Sequence, residues 1–312
     1  MDNNNNVTMF GVPIDLGAEN LGVDIGPDAF RYQKIINKLE RSGLKVKDAG
    51  NIAVNERATL DIGNPRLRYL KEIVRVSELV AEISEETINS KQRVIALGGD
   101  HSLNLGVVSG ASKALNGDLG LIYLDAHGDM NNPDITLSGN IHGMHLSALM
   151  GFGAPELVNI KSEGTKIKKE NMLHIGGSDF DQAELEFIKK ENIQCFTLFD
   201  LLSNGLGALL PKIQELNSKV SNIWVSLDLD AIDRVYAPGA GMPNPAGLTY
   251  REIAMIAEYI GHHCNVVGID VVEYNPLQDI DGKTAELGIE LIAKFLGKNY
   301  SWYTNYMDQN KI

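Results

Sequence analysis

The stretch "LGLIYLDAHGDMN", Leu119–Asn131, changes character half-way along. Its first part is apolar at nearly every position. After Leu124 it turns polar, with Asp125, His127 and Asp129 at alternate positions. A strand that is apolar throughout, not at every second residue, belongs to the middle of a parallel sheet, where helices cover both faces. Similar runs recur along the chain: "VTMFGVPI" (7–14), "RVIALGG" (93–99), "NMLHIGG" (171–177), "IQCFTL" (193–198), "NIWVSLDLD" (222–230), "NVVGIDVVE" (265–273) and a weaker "LKVKDAG" (44–50). Together with 119–127 they make eight candidate strands.

Between the runs lie segments with apolar residues at helical spacing, such as 64–90 and 248–263. In the second of these, Thr249 followed three residues later by Glu252 predicts a capped start. Strands alternating with helices predict an α/β fold: a three-layer αβα arrangement around a mostly parallel, roughly eight-stranded sheet. No linker, low-complexity insert or internal repeat divides the sequence, so residues 1–312 read as a single domain. Residues 1–6, with their asparagine run, read as a flexible leader.

The chain has a formal net charge of -13, which disfavours contact with phosphate backbones and anionic membranes. No apolar run approaches the roughly 20 residues of a membrane span, and no signal peptide is visible. The expectation is a cytoplasmic protein without nucleic-acid or membrane partners. The cysteines, Cys195 and Cys264, are isolated and suit a reducing compartment. Cys264 follows His262 and His263, but the three lack the spacing of a metal site.

In open α/β sheets, ligands bind beyond the carboxyl ends of the strands. Four of the apolar runs end in ionisable residues. "RVIAL" leads into "GGDHS" (98–102), "LGLIYL" into "DAHGDMN", "NIWVS" into "LDLDAID" (227–233), and "NVVGIDVV" into Glu273. One such end is an ordinary solvated turn. Four together imply carboxylates gathered at one place, which is costly unless a cation or shared protons compensate. Residues two apart on a strand share a face. If the extended backbone persists, Asp125, His127 and Asp129 point one way, as do Asp228 and Asp230. Ala126 and Gly128 are small, as crowded backbone positions require. His101 follows a glycine pair that permits a tight turn. Carboxylates mixed with imidazoles, without thiolates, suit Mn²⁺ or a similar divalent ion better than structural zinc. Six such donors exceed one site and suit a pair of ions, which can hold a bridging water as hydroxide near neutral pH.

In that order along the chain, "GGDHS", "DAHGDMN", "SGNIHG" (138–143) and "SLDLDAID" (226–233) resemble the ureohydrolase family of arginases, agmatinases and their relatives. "GVPIDLGAENLGVDIGPDAFR" (11–31), "GLTYRE" (247–252) and "EYNP" (273–276) extend the resemblance over essentially the whole chain. It is strongest to bacterial arginases. The resemblance implies an arginase-like fold and two Mn²⁺ per subunit. His101, Asp125, Asp129 and Asp228 would bind one ion, and Asp125, His127, Asp228 and Asp230 the other. Asp125 and Asp228 would bridge. It further implies that Glu273 orients the substrate guanidinium, that His142 shuttles protons and that Asp129 passes one to the leaving amine. Asn131 and Ser138 would hold the substrate α-carboxylate, and Asp181, with Asp179 as a neighbouring candidate, its α-amino group. Asp233 is expected behind the ligands or in a turn, and His145 and His174 at the surface or in the core.

The activity implied is that of an arginase, hydrolysis of L-arginine to L-ornithine and urea, in a homo-oligomer, either hexamer or trimer. The alternatives are another ureohydrolase (agmatinase, guanidinobutyrase or formimidoylglutamase) and a metal-binding regulatory protein without catalysis. Discrimination against agmatine would rest on Asn131 and Ser138, because a site built to bind a carboxylate rejects an analogue lacking it. Three departures from the family pattern stand out. Met242 in "GMPNPAG" replaces a common hydroxyl residue, the usual arginine is missing from "GGSDFD" (176–181), and Arg234 stands where proline is usual.

Overall fold

The computed structural model describes residues 4–302. Eight strands form one sheet: β1 Asn6–Val12, β2 Lys45–Asn51, β3 Arg93–Gly98, β4 Gly120–Leu124, β5 Met172–Ile175, β6 Cys195–Phe196, β7 Ile223–Asp228 and β8 Val266–Val272. Their spatial order is β2-β1-β3-β8-β7-β4-β5-β6, and every pairing is parallel. All eight candidate runs are strands. Most end earlier than their apolar and polar letters together imply, since the polar tails leave the sheet at the strand ends.

The longer helices are α1 Leu70–Asn89, α2 Asn104–Ala114, α3 Gln182–Glu191, α4 Leu206–Lys219, α5 Tyr250–His263 and α6 Lys283–Phe295. Strand β4 shows how they sandwich the sheet. Leu121 and Tyr123 pack into an apolar cluster with Val76 and Val80 of α1 and Val107 of α2. Ile122 and Leu124, pointing the other way, pack with Ile213 of α4, Ile256 of α5 and Leu291 of α6. Strand residues buried on both faces explain the unbroken apolar runs.

Two boundaries differ from the sequence reading. The helix expected over 64–90 begins at Leu70. The preceding residues make a small antiparallel hairpin, Gly63–Asn64 with Leu67–Arg68. Asn64 closes its turn by accepting the Arg66 N–H at 2.9 Å, and an Asn-Pro step favours turns over helix. Of the expected leader, residues 1–3 lie outside the described residues, and Asn6 already opens β1 opposite Lys45. The capped start of α5 is as predicted: Thr249 accepts the Glu252 N–H and Glu252 accepts the Thr249 N–H.

The four strands with ionisable ends, β3, β8, β7 and β4, are immediate neighbours in the middle of the sheet. Their register brings those ends level. Leu97 lies opposite Val271, Val272 opposite Asp228, and Leu227 opposite Leu124. Gly99, just past β3, does not adopt a left-handed turn. It is needed because a Cβ there would overlap the Ile14 carbonyl oxygen. The sheet edges are unlike each other: β2 is largely exposed and β6 has two residues. No described helix is long and apolar enough to cross a membrane. Both cysteines are free thiols.

Replacing Thr249 by alanine removes one half of the α5 capping box. The expected cost is about 1 kcal/mol of stability, read as a lower thermal midpoint with an unchanged circular dichroism spectrum below the transition.

Candidate metal and substrate site

His101 is fixed from behind by a chain of buried hydrogen bonds. The Ser226 hydroxyl donates to Asp270 Oδ2 at 2.6 Å. Having given away its only proton, it accepts from His101 Nε2–H at 2.8 Å. Asp270 is further held by Trp224 Nε1 and by Asn104 Nδ2. This network assigns the ring proton to Nε2 and turns the Nδ1 lone pair forward, as a metal-binding imidazole requires. What it faces is three carboxylates: Asp125 Oδ2 at 3.1 Å, Asp228 Oδ2 at 3.2 Å and Asp129 Oδ2 at 3.4 Å.

A second group adjoins the first. His127 Nδ1 lies 3.0 Å from Asp230 Oδ2 and 3.4 Å from Asp125 Oδ1. Asp125 thus offers one oxygen to each histidine. Asp228 joins the His101 group, while its Oδ1 accepts the Asp230 N–H at 2.8 Å. The six donors predicted from sequence are all brought together. They do not converge through a continued strand, however. Asp129 has φ 52°, in the left-handed region, and Leu229–Ala231 forms a 3₁₀ turn. Glu273 also has a positive φ, 59°. Left-handed backbone at two non-glycine residues costs free energy and persists where the surroundings enforce it. Gly128 is small for a reason the sequence only hinted at: a Cβ there would collide with the Glu184 carboxyl.

The electrostatics of this cluster fit bound cations. Burial pushes the Asp129 carboxyl up to about 6 and that of Asp230 up to about 7, with Asp125 reinforcing both shifts. Burial and the neighbouring Asp230 and Asp125 raise Asp228 well above the carboxylate range. Burial would lower the pKa of His101, but Asp125 and Asp228 outweigh it and raise it well above 6.5. Such a set holds protons where it has no cation, and a divalent ion would displace them. Oxygen and imidazole donors without thiolate match manganese chemistry.

His127, Asp129, Asp228 and Asp230 line a cavity of about 250 Å³, with His101 and Asp125 fully buried beside them; its walls include Asn131, Ser138, His142, Asp181, Glu184 and Glu273. Glu273 Oε1 accepts the His101 N–H at 3.0 Å and lies 3.4 Å from His142 Nδ1. Burial opposes charging of His142, yet Glu273 and Asp129 prevail and hold its pKa up to about 9. Asn131 donates from Nδ2 to Asp181 Oδ2 at 2.9 Å, and its Oδ1 is buried with no hydrogen-bond partner. Ser138, exposed at the rim, accepts the Asn140 N–H at 3.2 Å. Asp181 is also the N-cap of α3, accepting the Glu184 N–H at 2.9 Å. Asp179 is exposed, 3.9 Å from His127. Met242 lies at the rim, 47 % exposed. Asp233 is a turn residue that accepts the Val235 N–H, and Arg234 is exposed.

Several neighbours of the cluster were not singled out from sequence. Tyr123 and Ser226 precede Asp125 and Asp228 by two residues, so the same alternation could have found them. Glu184, buried against the Met130 N–H at 2.8 Å, gave no such signal. His174 and His145 are core residues, one of the two roles expected for them. His174 Nε2 donates to the His127 carbonyl at 2.6 Å, and His145 packs against His101 with ring centroids 4.4 Å apart. His262, His263 and Cys264 join none of the candidate metal groups found among the described residues.

Comparison with known proteins agrees with this geometry. Residues 5–297 match the Arginase family. The chain belongs to the arginase family. It is 36 % identical over 294 residues to the arginase of Bacillus caldovelox, covering 94 % of this chain and 98 % of that one. To the arginase of Staphylococcus aureus (strain MRSA252) it is 39 % identical over 299 residues, covering 94 % and 97 %. Among solved structures, the arginase from Bacillus caldovelox superposes with a TM-score of 0.90 at 36 % identity, over 94 % of this chain and 98 % of that one. The arginase from Bacillus cereus superposes with a TM-score of 0.88 at 35 % identity, over 95 % and 99 %. A more distant agmatine ureohydrolase of Thermoplasma volcanium, 23 % identical, shares the fold with a TM-score of 0.71 over 97 % and 92 %.

Breaking the relay behind His101 has a defined consequence for this arginase-family site. Ser226→Ala leaves Nε2–H without its acceptor, and Mn²⁺ affinity should fall about 10- to 100-fold, measured by titrating metal-free protein. Affinity in the unmodified protein should also fall from about pH 8 to about pH 6, since protons and cation compete for the same donors. An affinity that stays flat over this range would contradict the proton-displacement account.

Proposed function

We propose that the protein is an arginase that hydrolyses L-arginine to L-ornithine and urea, with two Mn²⁺ per subunit held by His101, Asp125, His127, Asp129, Asp228 and Asp230. Asp125 and Asp228 are the bridging carboxylates of this assignment. The observation that supports it most directly is the gathering of these donors into one cluster, four of them lining a cavity whose wall holds a carboxylate, Glu273, and a histidine, His142, 3.4 Å apart. The bound ions would supply a water acidified to a nucleophile and a Lewis acid for the guanidinium carbon.

The remaining work falls to side chains. Glu273, steadied by the His101 N–H, accepts guanidinium N–H groups and aims the carbon at the cavity floor. Water adds to that carbon, the bond from carbon to the side-chain nitrogen breaks, and the water's proton goes to the departing amine. Asp129, whose carboxylate lines the cavity, carries that proton. His142 exchanges protons with solvent. Asn131 and Ser138 bind the α-carboxylate, and Asp181 the α-amino group. The Asn131 Nδ2 gives one hydrogen to Asp181 and has a second with which to meet a carboxylate. The protein is a single domain over 1–312, a homo-oligomer of three or six copies, and cytoplasmic.

A panel of L-arginine, agmatine, guanidinobutyrate and a formimidoyl amino acid, offered to Mn²⁺-loaded protein, tests the substrate. Urea and ornithine should form from arginine only; urea from agmatine but not arginine would overturn the assignment. Glu273→Gln should lower kcat/KM by at least about 100-fold. Asn131→Ala should raise KM for arginine and change kcat little, a split that steady-state kinetics resolves. Elemental analysis after dialysis counts the manganese, and sedimentation velocity counts the subunits.

A further inference from the structure

Tyr123 is a fully buried phenol on β4 whose hydroxyl is surrounded by donors of the cation site. Its oxygen lies 2.6 Å from Asp125 Oδ2, 2.7 Å from Asp129 Oδ2 and 3.1 Å from His101 Nδ1. The ring cannot swing away. It stacks on His101 with centroids 4.9 Å apart at 17°, and packs against His145 and His174. A phenylalanine would fill the same core space without burying a hydroxyl, so the oxygen itself calls for an explanation.

The two carboxylates it touches are held very differently. Asp125 follows β4 directly, and its Oδ1 accepts the His127 N–H at 2.6 Å. Asp129 sits on the loop beyond, in a left-handed conformation that no strand pairing supports. The other groups near its Oδ2 are imidazole nitrogens, His101 Nδ1 at 3.4 Å and His145 Nδ1 at 3.7 Å. With a cation bound the first lacks a proton, by the tautomer that the relay sets, and the second is directed to the His142 carbonyl at 2.5 Å. The phenol, a neutral hydroxyl with one proton to give, shares it between the loop-borne Asp129 and the strand-borne Asp125. We infer that Tyr123 is a positioning residue of the first cation pocket, holding the inner oxygens of Asp125 and Asp129 toward His101 Nδ1. The second pocket, built from His127, Asp228, Asp230 and the outer oxygen of Asp125, is not in hydrogen-bond contact with the phenol and does not depend on it. This rests on the reading of the cluster as a two-ion site.

The test is a calorimetric Mn²⁺ titration of chelator-stripped wild type and Tyr123→Phe, with elemental analysis of the bound metal and thermal melts of both metal-free proteins. Wild type should bind two ions. The variant, with a metal-free melt like that of wild type, should keep one ion at wild-type affinity and bind the other about 10- to 100-fold more weakly. A merely structural role would instead move the metal-free melt or weaken both ions together, and either result overturns the inference. So does a folded variant that binds both ions as wild type does. Wild type that binds no Mn²⁺ removes the two-ion reading itself, a distinguishable failure. Should the phenylalanine variant not fold, Tyr123→Met, which also lacks the hydroxyl, is judged by the same outcomes.

Discussion

Like charges crowded at the end of a buried sheet are the constraint on which this molecule turns. Asp125, Asp129, Asp228 and Asp230 sit close together, none of them more than about a tenth exposed. Carboxylates so placed are stable only with protons or cations among them. The fold delivers them there because β4 and β7 are paired neighbours that end at one level, and a parallel sheet points all its carboxyl ends the same way. Behind the front rank, the buried Asp270 takes the proton of Ser226, and Ser226 in turn fixes the tautomer of His101. The chemistry at the surface of the cluster is thus prepared one layer deeper, inside the sheet.

Much of this was legible in the sequence because burial on both faces writes an unbroken apolar run. Each run located a strand, and the polar residues after it located the site. The alternation rule picked side chains that the structure does bring together, for a reason that was partly wrong. Asp125 obeys it, but Asp129 arrives through a left-handed turn and Asp230 through a 3₁₀ turn. A pattern of letters does not encode φ at a non-glycine residue. The hairpin before α1 was hidden for a related reason: its apolar letters fit helical spacing, and only the local turn at Asn64 and Pro65 decides against it. Tyr123 and Ser226 were within reach of the alternation already in hand, yet a tyrosine or serine in a strand looks like packing until its partners are seen.

The wall that faces the substrate serves two ends at once. Asp181 caps α3 and holds Asn131, so the side chains proposed to read the amino-acid end of the substrate are pinned by the start of a helix. Ser138 lies on the rim, and there it is exposed to solvent. Met242, also at the rim, contributes apolar bulk, and shape is a weaker discriminator than an unpaired polar group.

The outer strands carry a consequence of another kind. A sheet with open edges offers unpaired amides on which other chains could add strands and build aggregates. At one side β6 is too short, at two residues, to template such growth. At the other, β2 is long and exposed, but its sequence, KVKDAGN, brings Lys45, Lys47 and Asp48 to the open rim. An incoming strand would have to strip water from those charges. Asp48 is moreover gripped by Arg31 from the neighbouring helical segment, at 2.8 Å. The molecule keeps its open sheet soluble by truncating one border and fencing the other with charge.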